Sequence, residues 1–104
     1  MSKYNIEITE PAESDLYQIG SYIAKELQEP DLAQEVVNKI GDAILSLDEM
    51  PYRNGLVRDE RLSHQGIRKL LIDNYVIFYI VREENKMVTI LRILYSRRDW
   101  MNII

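Results

Sequence analysis

Apolar and polar residues alternate from Tyr4 to Thr9. Tyr4, Ile6 and Ile8 fall on one side and Asn5, Glu7 and Thr9 on the other, the two-residue period of a half-buried strand. After Thr9 the period changes. Ala12, Leu16, Ile19, Ile23 and Leu27 recur in steps of three and four, which makes one apolar stripe on a helix. Thr9 is placed to cap that helix, and Glu10, Pro11 and Glu13 suit a first turn that favours anions and accepts proline. The helix should stop before Pro30. A second helix begins near Asp31, with Leu32, Val36, Ile40, Ile44 and Leu47 as its stripe. Two stripes joined by a short link predict an antiparallel helical hairpin. Leu16, Ile19, Ile23, Val36, Ile40 and Ile44 are its expected core residues.

The stretch Met50–Gly66 has no periodicity and contains Pro51 and two glycines. It reads as a long connection, the kind of segment often kept for binding. Three strands follow: Ile67–Ile72, Tyr75–Arg82 and Met87–Tyr95. Asp73-Asn74 and Glu83–Lys86 turn between them, so an antiparallel meander is expected. The predicted architecture is α+β, with the order β-α-α-β-β-β. Each helix has a single apolar stripe, so the hairpin should cover one face of an antiparallel sheet. The other face is then left free to curve into a groove. One domain spans residues 1–104.

Length and composition narrow the chemistry. A chain of 104 residues buries roughly two-thirds of its unfolded surface, enough for a core without metal or disulfide staples. The absence of cysteine excludes disulfides, thiolate catalysis and Cys-based zinc sites. The opening stretch has no apolar h-region, and no apolar run approaches the ~20 residues of a spanning helix. A cytoplasmic protein is expected. Charge is divided: residues 1–50 carry 3 Lys/Arg against 11 Asp/Glu, and residues 51–104 carry 10 against 6. A basic half on an acidic protein points to a localised anionic partner or a protein with an acidic segment. The overall acidity, a net charge of -4, argues against a protein that coats nucleic acid non-specifically.

Most of the candidate chemistry lies in "ILRILYSRRDW", residues 90–100. Arg92 sits inside an apolar run. It must either pair with a carboxylate or face an anionic ligand. Arg97 and Arg98 follow, and a guanidinium pair there can clamp a phosphate. Tyr95 and Trp100 can stack on a base or pack against a partner. Equally, they can close the core edge while Arg98 pairs with Asp99. Arg68 sits one residue into its strand, with Lys69 on the opposite face. His64 is the only histidine, in a polar loop and without an identified partner. No metal-ligand spacing, glycine-rich phosphate loop or nucleophile elbow occurs. No metal or cofactor is therefore expected. An Arg/Tyr set without a nucleophile can still promote RNA cleavage by orienting a 2′-hydroxyl and stabilising phosphorane charge.

Taken in order, the first strand, "PAESDLYQIGSYI", a second helix ending "AILSLDEMPYRNG", and "GIRKL", "NYVIFYIV" and "VTILRILYSRRDW" resemble the RelE/ParE toxin superfamily of bacterial toxin–antitoxin modules. The resemblance covers about residues 4–100. It rests on the order of Ala12, Asp15, Leu16, Ile19, Tyr22 and Ile23, then Pro51, then Arg68 after a glycine, then Asn74, Tyr75, Ile77 and Tyr79. It implies a small toxin held inactive in a complex with an antitoxin encoded beside it. RelE-like members cleave messenger RNA in the ribosomal A site with Arg, Lys and Tyr or His residues and no metal. ParE-like members inhibit DNA gyrase. The long hairpin and the "ILRILYSRRD" ending are more ParE-like, although Tyr95 stands where such sequences usually carry histidine. RelE-type nucleases are strongly basic along the middle strands, whereas this chain has only Lys69 there. On a RelE-like reading, Arg68 and Arg97 or Arg98 correspond to phosphate-binding arginines and Tyr95 to a general base. The expected function is a gyrase-binding toxin. Its alternatives are a ribosome-dependent ribonuclease and a member that keeps only antitoxin binding. Arg68, Arg92, Tyr95, Arg97 and Arg98 are expected to form one surface at the end of the sheet.

Overall fold

The computed structural model describes residues 3–98. Strand β1 (Asn5–Ile8) leads straight into α1 (Glu10–Ser21), whose first turn is capped by the Thr9 hydroxyl accepting from the Ala12 amide at 3.3 Å. α1 ends in a widened π-helical turn, Tyr22–Glu26, in which the Leu27 amide bonds back to the Tyr22 carbonyl. Gln28 then turns the chain through a left-handed φ of 54°. Helix α2 (Pro30–Leu45) packs back against α1. The approach is close: a Cβ added to Gly20 would lie 3.0 Å from a Val37 methyl. Ile23, Ile40 and Ile44 are buried as expected, while Leu16, Ile19 and Val36 are half-buried. Leu27 and Leu32 depart from the predicted stripes, at 49% and 42% exposed. The π turn shifts the side-chain register just before Leu27, which leaves the core face, and Leu32 lies in the first turn of α2 at the hairpin tip.

Arg53 holds the end of α2. Its guanidinium donates to the carbonyls of Ser46, Glu49 and Met50 and to the Ser46 hydroxyl, so groups that a helix end leaves unpaired are satisfied. A short helix, α3 (Glu60–Ser63), interrupts the long connection and is capped by Asp59. Strands β2 (Arg68–Ile72), β3 (Tyr75–Arg82) and β4 (Met87–Tyr95) form the expected meander. The strand order is β1-β4-β3-β2, and β1 runs parallel to β4. The sheet is therefore mixed, not wholly antiparallel. β4 is buried on both faces and needs a neighbour on each edge, and β1 supplies the second one.

The second sheet face is not free either. Ile77, Tyr79, Val88, Ile90 and Ile93 face the helices, where Ala12, Ile40, Ile44 and Leu47 complete the main core. On the opposite face Val76, Phe78 and Leu94 pack with Val57, Leu62 and Ile67. The aperiodic connection thus folds over the sheet and covers it. The reason is legible in β3: "YVIFYIV" is apolar at consecutive positions, so both of its faces require cover.

Candidate functional site

β1 is only four residues long and leaves the later part of the β4 edge without a strand partner. α1 fills that gap with side chains. The Thr9 hydroxyl donates to the carbonyls of Ile90 and Leu91 at 2.8 and 3.1 Å. Asp15, 7% exposed, accepts the Ile93 amide at 2.9 Å. The same carboxylate receives the Arg92 guanidinium in a fork, with Nε and NH2 each at 2.7 Å. This is bidentate geometry, the strongest form of such a pair. The bonds to Asp15 hold the Arg92 guanidinium pKa up, outweighing partial burial. Arg92 is therefore the paired arginine of the two readings above.

Beyond this pair, a groove of about 1050 Å³ opens between the hairpin tip and the end of the sheet. Its apolar lining includes Ile19, Leu27, Leu32 and Val36, and its rim carries Tyr22, Tyr95 and Arg98. Tyr22 is 57% and Tyr95 39% exposed. Tyr95 meets Tyr75 edge to face at 6.0 Å. Burial and the neighbouring Tyr95 push the Tyr75 phenol pKa up.

Arg68 lies elsewhere. It pairs across strands with Tyr79, whereas Tyr95 shares a row with Tyr75 and Ile72. That separates them by one intervening strand and four residues, roughly 10 Å across and 13 Å along. Arg68 and Arg92 also fail to lie on neighbouring strands, because β3 runs between β2 and β4. Arg68 instead donates to the Asn54 carbonyl at 2.7 Å and lies 4.9 Å over the Tyr52 ring. Arg97 is exposed, and His64 is an exposed residue just past α3. Asp99 and Trp100, with the proposed Arg98–Asp99 pairing, lie outside the described residues. The five predicted residues thus divide: Tyr95 and Arg98 share the groove, Arg97 is exposed outside its lining, Arg92 belongs to Asp15, and Arg68 belongs to the Tyr52 loop.

The Tyr52 loop carries a second polar cluster. The phenols of Tyr52 and Tyr4 donate to Glu83 at 2.8 and 2.9 Å, and Lys86 pairs with the same carboxylate. Lys86, then Tyr52 and Tyr4, hold the Glu83 pKa down at about 2, against an ordinary 4.5. The same bonds push both phenols up. A depressed carboxyl pKa contributes stability that is present above about 4.5 and is lost as pH falls through about 2. An NMR titration of the Glu83 carboxyl should therefore find a midpoint near 2, moving upward in Tyr52→Phe. An ordinary midpoint in the wild type would refute the clamp.

The sequence reading missed Asp15 and the groove lining. For Asp15 a signal was present. It sits on the apolar stripe between Ala12 and Ile19, and an acid on a core-facing stripe needs a buried partner. Tyr22, Leu27 and Leu32 had no such signal, because the groove they line forms only where the hairpin tip meets the end of the sheet. Among the described residues no three His, Asp or Glu side chains are placed to hold a metal ion, and no helix is long and apolar enough to cross a membrane.

This fold recurs among solved structures. A chromosomal ParDE toxin–antitoxin system from P. aeruginosa contains a chain 22% identical, with a TM-score of 0.75, covering 93% of this chain and 100% of that one. A chain of the RelBE2 toxin–antitoxin complex from Mycobacterium tuberculosis is 23% identical, with a TM-score of 0.64 over 91% of this chain and 93% of that one. A mutant of the E. coli toxin RelE in the free state is 14% identical, with a TM-score of 0.65 over 97% and 92%. The architecture is that of the RelE/ParE toxin superfamily. Within it, residues 6–100 match the ParE toxins of the type II toxin–antitoxin system parDE, and the chain belongs to that family. It is the toxin of a type II toxin–antitoxin system. No curated protein sequence matches the chain.

Proposed function

We propose that this toxin arrests growth in the cytoplasm by docking onto a protein target, DNA gyrase, and that an antitoxin neutralises it by lying over the hairpin and its groove. The observation that carries this reading is the dispersal of the cations. Metal-free RNA cleavage needs a base and guanidinium groups within hydrogen-bond reach of one phosphate. Here Arg92 is committed to Asp15 and Arg68 to the Asn54 carbonyl, on different strands. What remains beside Tyr95 and Arg98 is a groove of mixed lining, in which Ile19, Leu27, Leu32 and Val36 stand with Gln18, Asp73 and Asn74, an apolar patch with a polar rim as protein-binding surfaces have. Membership of the ParE family supports the same choice.

The test runs purified toxin in a gyrase supercoiling assay and, in parallel, a ribosome–messenger cleavage assay. Inhibited supercoiling with intact messenger is expected. Messenger cleavage with normal supercoiling would replace this reading with the ribonuclease one, and inactivity in both would leave an antitoxin-binding member only. Arg97→Ala combined with Arg98→Ala should abolish growth inhibition while leaving the thermal midpoint unchanged, because both side chains are exposed. Charge-assisted bonds are worth about 1.5–3 kcal/mol each, so losing two weakens a target by orders of magnitude. Full toxicity in that folded double variant would remove the two arginines from the site.

A further inference from the structure

The turn that closes α1 is wound against its own sequence. The apolar stripe Ala12, Leu16, Ile19, Ile23 and Leu27 keeps α-helical steps to its last member. Ala24, Lys25 and Glu26, inside the turn, are strong α-helix formers. An α-helix carried on through Leu27 would bond its amide to the Ile23 carbonyl and set the two side chains about 40° apart on one face. The structure has the wider winding. The Leu27 amide bonds to the Tyr22 carbonyl at 3.2 Å, and the Ile23 carbonyl takes the Glu29 amide at 3.1 Å instead. Leu27 thus sits over Tyr22, a residue that α-helical winding would hold about 140° away. Leu27 and Tyr22 are 49% and 57% exposed and line the groove beside Tyr95, while Ile23 is buried. The link that holds this winding is strained, because Gln28 takes a left-handed φ of 54°.

We propose that this turn is a two-register switch that gates the groove. In the π register Leu27 stands over Tyr22 and lines the groove with Ile19 and Leu32. In the α register Leu27 turns back over Ile23, and the groove loses that wall. One amide changes partner, from the Tyr22 carbonyl to that of Ile23, and the Glu29 amide is released to water. The two registers compete. Helix propensity and the apolar face of Ile23 favour the α winding. The Glu29 bond and the start of α2 at Pro30 hold the π winding. A protein lying in the groove touches Leu27 only in the π register, and therefore selects it. The gating consequence rests on the docking role given to the groove above; the switch itself does not.

NMR relaxation dispersion on the isotope-labelled full chain, made by cell-free synthesis, tests the switch without any partner. Microsecond-to-millisecond exchange is expected at the amides of Leu27 and Glu29, with a minor state of about 1–10%. Deleting Lys25 removes the extra residue of the turn. Leu27 is then the fourth residue after Tyr22, so an ordinary α-helical turn keeps it over Tyr22. The exchange should vanish, and the nuclear Overhauser contact between the Leu27 methyls and the Tyr22 ring should remain. Leu27→Ala removes the side chain that draws the turn toward Ile23, and should reduce the minor population severalfold. Leu27 is half in solvent, so this variant keeps its fold and decides the matter where the deletion does not fold. In the supercoiling assay the deletion variant should inhibit gyrase at the wild-type concentration or below, because it is fixed in the binding register. Flat dispersion in the wild type overturns the switch, and so does exchange that survives both variants. A folded deletion variant that inhibits more weakly than the wild type overturns the gating. A wild type without effect on gyrase counts against the gyrase reading alone, because dispersion is read with no partner present.

Discussion

Asp15→Ala is expected to lower folding stability by about 3 kcal/mol, the lower end of the range for breaking a buried ion pair, because Asp15 is buried while Arg92 keeps a quarter of its side chain in solvent. Two partners lose their acceptor at once: the Arg92 guanidinium and the Ile93 amide. Asp15→Asn keeps an acceptor of the same shape and should lose less. The informative variant is Asp15→Leu with Arg92→Met. Apolar replacement of both charges is often close to neutral, so part of the loss should return. The recovery should stop short by about 1–3 kcal/mol, because the Ile93 amide stays buried without an acceptor. Urea unfolding of the four proteins measures all of this. A loss below about 1 kcal/mol for Asp15→Ala would mean the pair is dispensable, and Arg92 would return as a candidate for an anionic ligand.

Leu62→Ala should cost about 2–5 kcal/mol, the range for a leucine removed from a core that cannot collapse around the gap. Leu62 is buried in α3 against the sheet face opposite the helices. Leu71→Ala, on an exposed position of β2, should stay within about 0.5 kcal/mol. Equal and small effects would show that the Met50–Gly66 segment is detachable, and would reopen it as a binding loop. The expected contrast makes that segment a second lid on the sheet, which explains how a short chain buries both faces of β3 and β4.

Much of this architecture is local and therefore legible. The alternation of Tyr4–Thr9, the stripes through Ile23 and Ile40, and the turn residues between strands each encode an element through its own period. The Thr9 cap was readable for the same reason, since a cap acts within three residues of itself. The dilemma of Arg92 was also legible: an arginine in an apolar run must be answered by something. Which answer holds was not, because Asp15 lies 77 residues away and no periodicity links two such positions.

The sequence by itself determined the elements, their order, the charge division and the family resemblance. Tertiary structure alone decided three things. It paired β1 with β4 in parallel, since strand order depends on which edge is left open and not on any strand's own pattern. It brought α3 down over β3, where an aperiodic segment is held by apolar contacts distant in sequence. It also divided the arginines, sending Arg92 to Asp15, Arg68 to the Tyr52 loop and Arg98 to the groove. Side-chain chemistry is written residue by residue, but convergence is a property of register and topology, and those are settled only when the whole core packs together.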